Sequence, residues 1–125
     1  MHSRAWILAG SLLAFLTVAL GAWGAHALRG ALSPELLEVY EVATRYAMYH
    51  SLALILLGVW DRPGRLSAAA GVCFLAGIAL FSGSLYALAL SGIRGLGAVT
   101  PFGGLAFLIG WACFAGAALR DRGRV

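Results

Sequence analysis

Charge is what this sequence has least of. Only 11% of its 125 residues are charged, against roughly 25% in an ordinary soluble domain, while 62% are hydrophobic. So small a polar complement cannot coat a water-soluble globule, and the implied solvent is lipid. Lysine is absent: all nine basic residues are arginines, and most flank the ends of apolar runs. That distribution belongs to membrane anchors, so the net charge of +4 does not imply a nucleic-acid partner. Catalytic signatures are missing too. No carboxylate lies beside His26 or His50 in sequence, and no serine, cysteine or metal motif of a hydrolase occurs, which argues against an enzyme. Cysteine is limited to Cys73 and Cys113, both inside apolar runs, where thiols serve as small packing groups and a disulfide is not expected.

What is present is four apolar stretches, at about residues 5–28, 42–60, 66–91 and 98–119. Each is near or above the roughly 20 residues needed to cross a hydrocarbon core at 1.5 Å per residue. Backbone amides cannot stay unpaired in lipid, so the stretches must be helices. The connections are too short for a soluble domain. The expected fold is therefore all-α, an integral membrane four-helix bundle with antiparallel neighbours in a single transmembrane domain. Arg4, Arg62, Arg65, Arg120, Arg122 and Arg124 share one side of such a bundle, and Arg29, Arg45 and Arg94 the other. Six against three favours both termini in the cytoplasm of a bacterial inner membrane. The start of the chain, with Arg4, an apolar run and Ala25-His26-Ala27, also imitates a secretory signal, but the run from Ala5 to Gly24 exceeds the usual core of roughly 7–15 residues. His2 reads as a terminal residue outside the fold.

The connections have legible chemistry. Ser33-Pro34-Glu35 is a helix start: serine caps an orphan amide, proline costs nothing at the first helical position, and glutamate complements the helix dipole. An interfacial helix is expected from residue 33 to about residue 45, with Glu41 and Arg45 able to pair one turn apart. If Arg45 turned inward instead, a partner would be obligatory. Asp61-Arg62-Pro63-Gly64-Arg65 is a tight turn, and Thr100-Pro101 offers a cap and a first helical position for the last helix. Glycines at 21, 24, 71, 77, 83, 104, 110 and 116 let helix backbones approach closely. Trp6, Trp23 and Trp60 suit the interfacial aromatic belt, whereas mid-span Trp111 must find a partner for its indole N–H.

Orienting the spans brings polar residues from all four into one leaflet: His26, Arg45, Tyr46, Tyr49, His50, Ser82, Ser84, Tyr86 and Thr100. Intramembrane polar groups are expensive, so this set is the candidate site. It can be an interhelical hydrogen-bond network, or a pocket for a lipid-like or quinone-like molecule or a partner subunit. A further alternative is haem or metal ligation by His26 and His50, which requires the two imidazoles to converge. No cofactor or metal is otherwise implied. Membrane lipid is the expected surrounding, and glycine-lined faces leave room for a homo-oligomer.

Four segments carry a resemblance: residues 21–28 (GAWGAHAL), 46–54 (YAMYHSLAL), 80–86 (LFSGSLY), and 100–104 (TPFGG) with Gly110-Trp111. In order and spacing the chain resembles the family catalogued as domain of unknown function 423, small bacterial membrane proteins of the YgdD and YwdK type, similar to animal transmembrane protein 256. The resemblance implies a small multi-span inner-membrane protein with no established activity and no catalytic residues to carry over.

Overall fold

The computed structural model describes residues 3–121. His2, and Arg122 and Arg124 from the arginine tally, lie outside them. Among the described residues there is no strand, and four long apolar helices cross the molecule: Ser3–Leu28, Pro34–Trp60, Arg65–Ser91 and Arg94–Arg120. Two of these spans are not uniform. The first is an α-helix, α1 (Ser3–Trp23), that widens into a π turn at Gly24–Leu28. The third is α3 (Arg65–Gly77), a π turn at Ile78–Ser82, and α4 (Gly83–Ser91), where a single helix was expected.

The second span, α2 (Pro34–Trp60), begins as its sequence predicts. Ser33 is the extended N-cap, its side chain accepts from the Leu36 amide at 3.2 Å, and Pro34 occupies the first turn. The expected interfacial segment and the span proper are one continuous helix. At 27 residues it is about 40 Å long, more than the hydrocarbon core needs, so its first turns project beyond it or the helix tilts. The helix ends at Asp61 with φ 49°, a left-handed conformation that aspartate tolerates better than most residues.

The last span opens with a 3₁₀ segment at Arg94–Ala98, none of it buried, before α5 (Thr100–Arg120). Pro101 sits in the first turn as expected, but Thr100 is not the cap. Val99 precedes the helix, and the Thr100 hydroxyl is turned to Ser84 instead.

Packing makes α2 the hub. α1 packs along α2, α3 along α5, and α2 also meets α4 and the π turn before it. Consistent with that place, 44% of the second span's apolar window is buried, against 17% in the first and 22% in the fourth. Glycines allow the close crossings. A Cβ on Gly10 would lie 2.6 Å from the Ser51 carbonyl oxygen, and one on Gly58 2.6 Å from that of Ser3, so α1 and α2 touch backbone to backbone. Gly10, Gly58 and Gly103 were not singled out in sequence, whereas Gly83 and Gly104 meet only ordinary van der Waals contact. Trp6, expected at the interface, is instead 4% exposed, its ring against Gly71 in the core with Leu54, Leu57 and Phe74. Phe15, Val59, Phe102 and Leu108 are each more than 65% exposed, which suits a surface in contact with lipid chains.

Candidate functional site: a bonded interior and two charged ends

His50 lies in the second half of α2 and is 4% exposed. Its Nδ1 is 2.7 Å from the Tyr46 carbonyl oxygen one turn back, and its Nε2 is 3.0 Å from Trp111 Nε1. A carbonyl only accepts and an indole N–H only donates, so the bonds fix the neutral tautomer with the proton on Nδ1. The ring stacks on Phe107 with centroids 3.5 Å apart and planes 10° off parallel, and Phe74 leans on it at 5.6 Å. Trp111 stands near the middle of α5, so this unit ties the second span to the fourth deep in the bundle.

A second bonded unit lies nearer the start of α2. The Tyr40 ring, 1% exposed, fills the space left by the missing side chain of Gly24 in the π turn, and its hydroxyl donates to the Leu20 carbonyl. Thr44 donates to the Tyr40 carbonyl at 3.1 Å and therefore accepts from the Tyr86 hydroxyl, 2.8 Å away. Ser82, closing the other π turn, donates to the Ala43 carbonyl at 2.7 Å. Both wide turns thus meet one stretch of α2, the first through the Tyr40 ring on Gly24 and the second through the Ser82 hydroxyl, so irregular backbone is matched to a specific neighbour. In a third unit Ser84 donates to the Phe81 carbonyl and accepts from Thr100 at 2.6 Å. Among the described residues no buried side-chain nitrogen or oxygen lacks a partner.

The nine expected site residues therefore separate. His50, Ser82, Ser84, Tyr86 and Thr100 take part in the interior bonds. Tyr46 is 39% exposed, with its ring against Phe81 at 4.7 Å, and Tyr49 is 54% exposed beside Tyr46. His26 and Arg45 are exposed. The sequence gathers His26 and His50 into one leaflet with His50 the deeper, and in the structure Gly24 abuts Tyr40, ten residues and about 15 Å along α2 from His50. The imidazoles do not share a site, and a metal on His50 would have to displace the Trp111 bond. No group of three or more His, Cys, Asp or Glu side chains is placed to hold a metal ion among the described residues. Tyr40 and Thr44 were missed, although they form one helix face with Ala47, Ser51 and Leu54 at turn spacing.

Charge lies at the two ends. At the end bearing His26, a cleft of about 270 Å³ runs between the first and second spans, floored by Gly21, Gly24 and Ala25 and edged by Glu41 and Arg45. The Glu41–Arg45 pair expected one turn apart does not form. The ion pairs among the described residues are Arg94–Glu35 at 3.4 Å and, at the opposite end, Arg62–Asp121 at 3.2 Å. Cys73 and Cys113 are free thiols, half-buried between α3 and α5.

Four apolar spans joined by short turns, with an interior of mutually bonded polar groups, define a small multi-span membrane protein. Within that class, the chain belongs to the family described as protein of unknown function (DUF423), whose model matches residues 20–104. It is 47% identical to a UPF0382 membrane protein of Staphylococcus aureus over 109 residues, 86% of this chain and 89% of the relative. A UPF0382 membrane protein of Staphylococcus epidermidis is 43% identical over 96% of this chain and 99% of its own. UPF0382 membrane protein YwdK of Bacillus subtilis is 41% identical over 94% of this chain and 98% of its own. No solved structure matches the chain.

Proposed function

We propose that the protein is a binding component of the bacterial inner membrane, with both termini in the cytoplasm, that holds a lipid-like molecule in the cleft between its first and second spans. The observation that carries this reading is the pairing of small-residue walls with two charges of opposite sign, Glu41 and Arg45, neither of them ion-paired among the described residues. A carboxylate and a guanidinium one helical turn apart match a zwitterionic headgroup, its phosphate to Arg45 and its ammonium to Glu41. A quinone offers neither charge. The volume of about 270 Å³ is just under the roughly 300–1,000 Å³ of small-molecule pockets, which suits a headgroup with its chains left in the bilayer. The arginine excess on the opposite side supports an outer-leaflet position for the cleft.

Native mass spectrometry of detergent-purified protein tests this. Wild type is expected to retain one phosphatidylethanolamine per chain, and Glu41→Gln/Arg45→Gln to lose it without a change in melting temperature. Equal retention by the double variant overturns the reading. So does a second polypeptide held by the wild type and released by the variant, which would make the cleft a subunit contact.

A further inference from the structure

The end of the molecule opposite His26 holds a larger cavity, about 410 Å³, between the second connection and the last turn of α5. Its charged lining is one-sided: Arg62, Arg65 and Arg120 against Asp121. Asp121 is engaged by Arg62 Nε at 3.2 Å, which leaves Arg65 and Arg120, both exposed, with no carboxylate partner among the described residues. Its apolar walls are Trp60 and Leu66, with Trp60 packed on Phe114 at 5.5 Å. The mouth thus lies at the ends of three spans beside an interfacial tryptophan, the depth at which lipid phosphates sit.

The connection that forms the cavity floor is fastened on three sides. The Ser3 hydroxyl donates to the Asp61 carboxylate, Ser67 donates to the Arg62 carbonyl at 2.7 Å, and Arg62 is tied to Asp121. A turn held to the first, third and fourth spans keeps its shape without a ligand, so little ordering cost attends binding. Arg65 and Arg120 make no ion pair with a described residue, so their charge is not engaged by a described carboxylate.

We infer that this cavity is a site for the phosphate of an anionic phospholipid headgroup, clasped by Arg65 and Arg120 with Arg62 held behind them by Asp121. Guanidinium groups bind phosphate oxygens in bidentate fashion, and basic pockets between span ends are where anionic headgroups lodge. The apolar wall of Trp60 and Leu66 receives the start of the acyl chains, which free phosphate cannot use.

The test uses the full chain, delipidated in mild detergent and titrated with phosphatidylglycerol, phosphatidylcholine or inorganic phosphate, read by native mass spectrometry and thermal shift. One phosphatidylglycerol per chain is expected, with a higher melting temperature, and phosphatidylcholine is expected to do neither in Glu41→Gln/Arg45→Gln, where the cleft for a zwitterionic headgroup is disabled. Each arginine is worth about fivefold in affinity near an anionic headgroup, so Arg65→Gln/Arg120→Gln should bind about thirtyfold more weakly. Arg65→Lys/Arg120→Lys keeps the charge and should retain most of the binding, which guards against a folding defect in the glutamine variant. Glu41→Gln/Arg45→Gln should leave phosphatidylglycerol binding intact, so the two clefts fail or stand separately. Equal retention of phosphatidylcholine by Glu41→Gln/Arg45→Gln, or unchanged phosphatidylglycerol binding by Arg65→Gln/Arg120→Gln, overturns the inference. Protection by inorganic phosphate as strong as that by phosphatidylglycerol overturns the lipid as the phosphate's source.

Discussion

The interior of this bundle and its two ends treat polar groups in opposite ways. Inside, each hydroxyl or ring nitrogen of the bonded units is spent on a neighbour: His50 on Tyr46 and Trp111, Tyr40 on Leu20, Thr44 on Tyr40 and Tyr86, Ser84 on Phe81 and Thr100. At the ends, Glu41, Arg45, Arg65 and Arg120 line open clefts without ion-pair partners among the described residues. In lipid an unsatisfied polar group costs several kcal/mol, so the interior groups had to be matched to fold at all. The end groups meet water and headgroups, where that constraint lapses. Interior polarity accordingly reports on architecture, and end polarity on what the protein meets.

Substitutions that reopen the interior should therefore act on stability alone, and the largest effect is expected at the backbone crossing of α1 and α2. Gly58→Val would drive a side chain into the Ser3 carbonyl and Ile7, and backbone cannot yield as a flexible side chain does. A loss of about 3 kcal/mol or more is expected, read as a collapse of the monodisperse peak on size exclusion. A well-folded Gly58→Val protein would mean that α1 is not locked on α2.

His50→Ala ranks next, because it removes the stack on Phe107 and orphans the Trp111 N–H together. Stacking is worth about 0.5–1.5 kcal/mol and a buried orphan donor costs about 1–3, so a loss of about 2–4 kcal/mol is expected. His50→Phe restores the ring but not the acceptor and should recover roughly half. Lipid retention at both clefts should be unchanged in either variant. Loss of a bound lipid in His50→Phe would break the division between interior and ends.

Much of the fold was legible in the residues, the division of the nine polar residues between interior and ends less so. Four spans follow from run length and the scarcity of charge, and the Ser33-Pro34-Glu35 cap formed as its chemistry dictates. The need of Trp111 for a partner was readable from its mid-span position, though not that His50 would supply it. Three features were hidden for a common reason. The π turns, the burial of Trp6 and the pairing of His50 with Trp111 depend on which helix faces meet, whereas sequence reading supplies depth along a span, as in the deeper setting of His50 than of His26, and little about rotation around it. Gly24 illustrates this: in sequence it is one small residue among many, and only the structure shows the Tyr40 ring packed on it where the wide turn begins. The Glu41–Arg45 pair failed for a milder reason. Turn spacing permits a surface ion pair but supplies few tenths of a kcal/mol toward it.

The smallest expected effect is also the sharpest probe of how the interior units are wired. Thr44 both donates to the Tyr40 carbonyl and accepts from Tyr86, so it links the second span to the third through one hydroxyl. Interhelical hydrogen bonds in membranes average about 0.6 kcal/mol, and Thr44→Ala or Tyr86→Phe should each cost about that much. Because the two substitutions delete the same bond, the double variant should cost little more than either alone. The measurement is a double-mutant cycle on unfolding free energy in mixed micelles. Strict additivity would show that the 2.8 Å contact carries no energy, and that Tyr86 is held instead by its edge-on packing against Tyr40 at 4.9 Å.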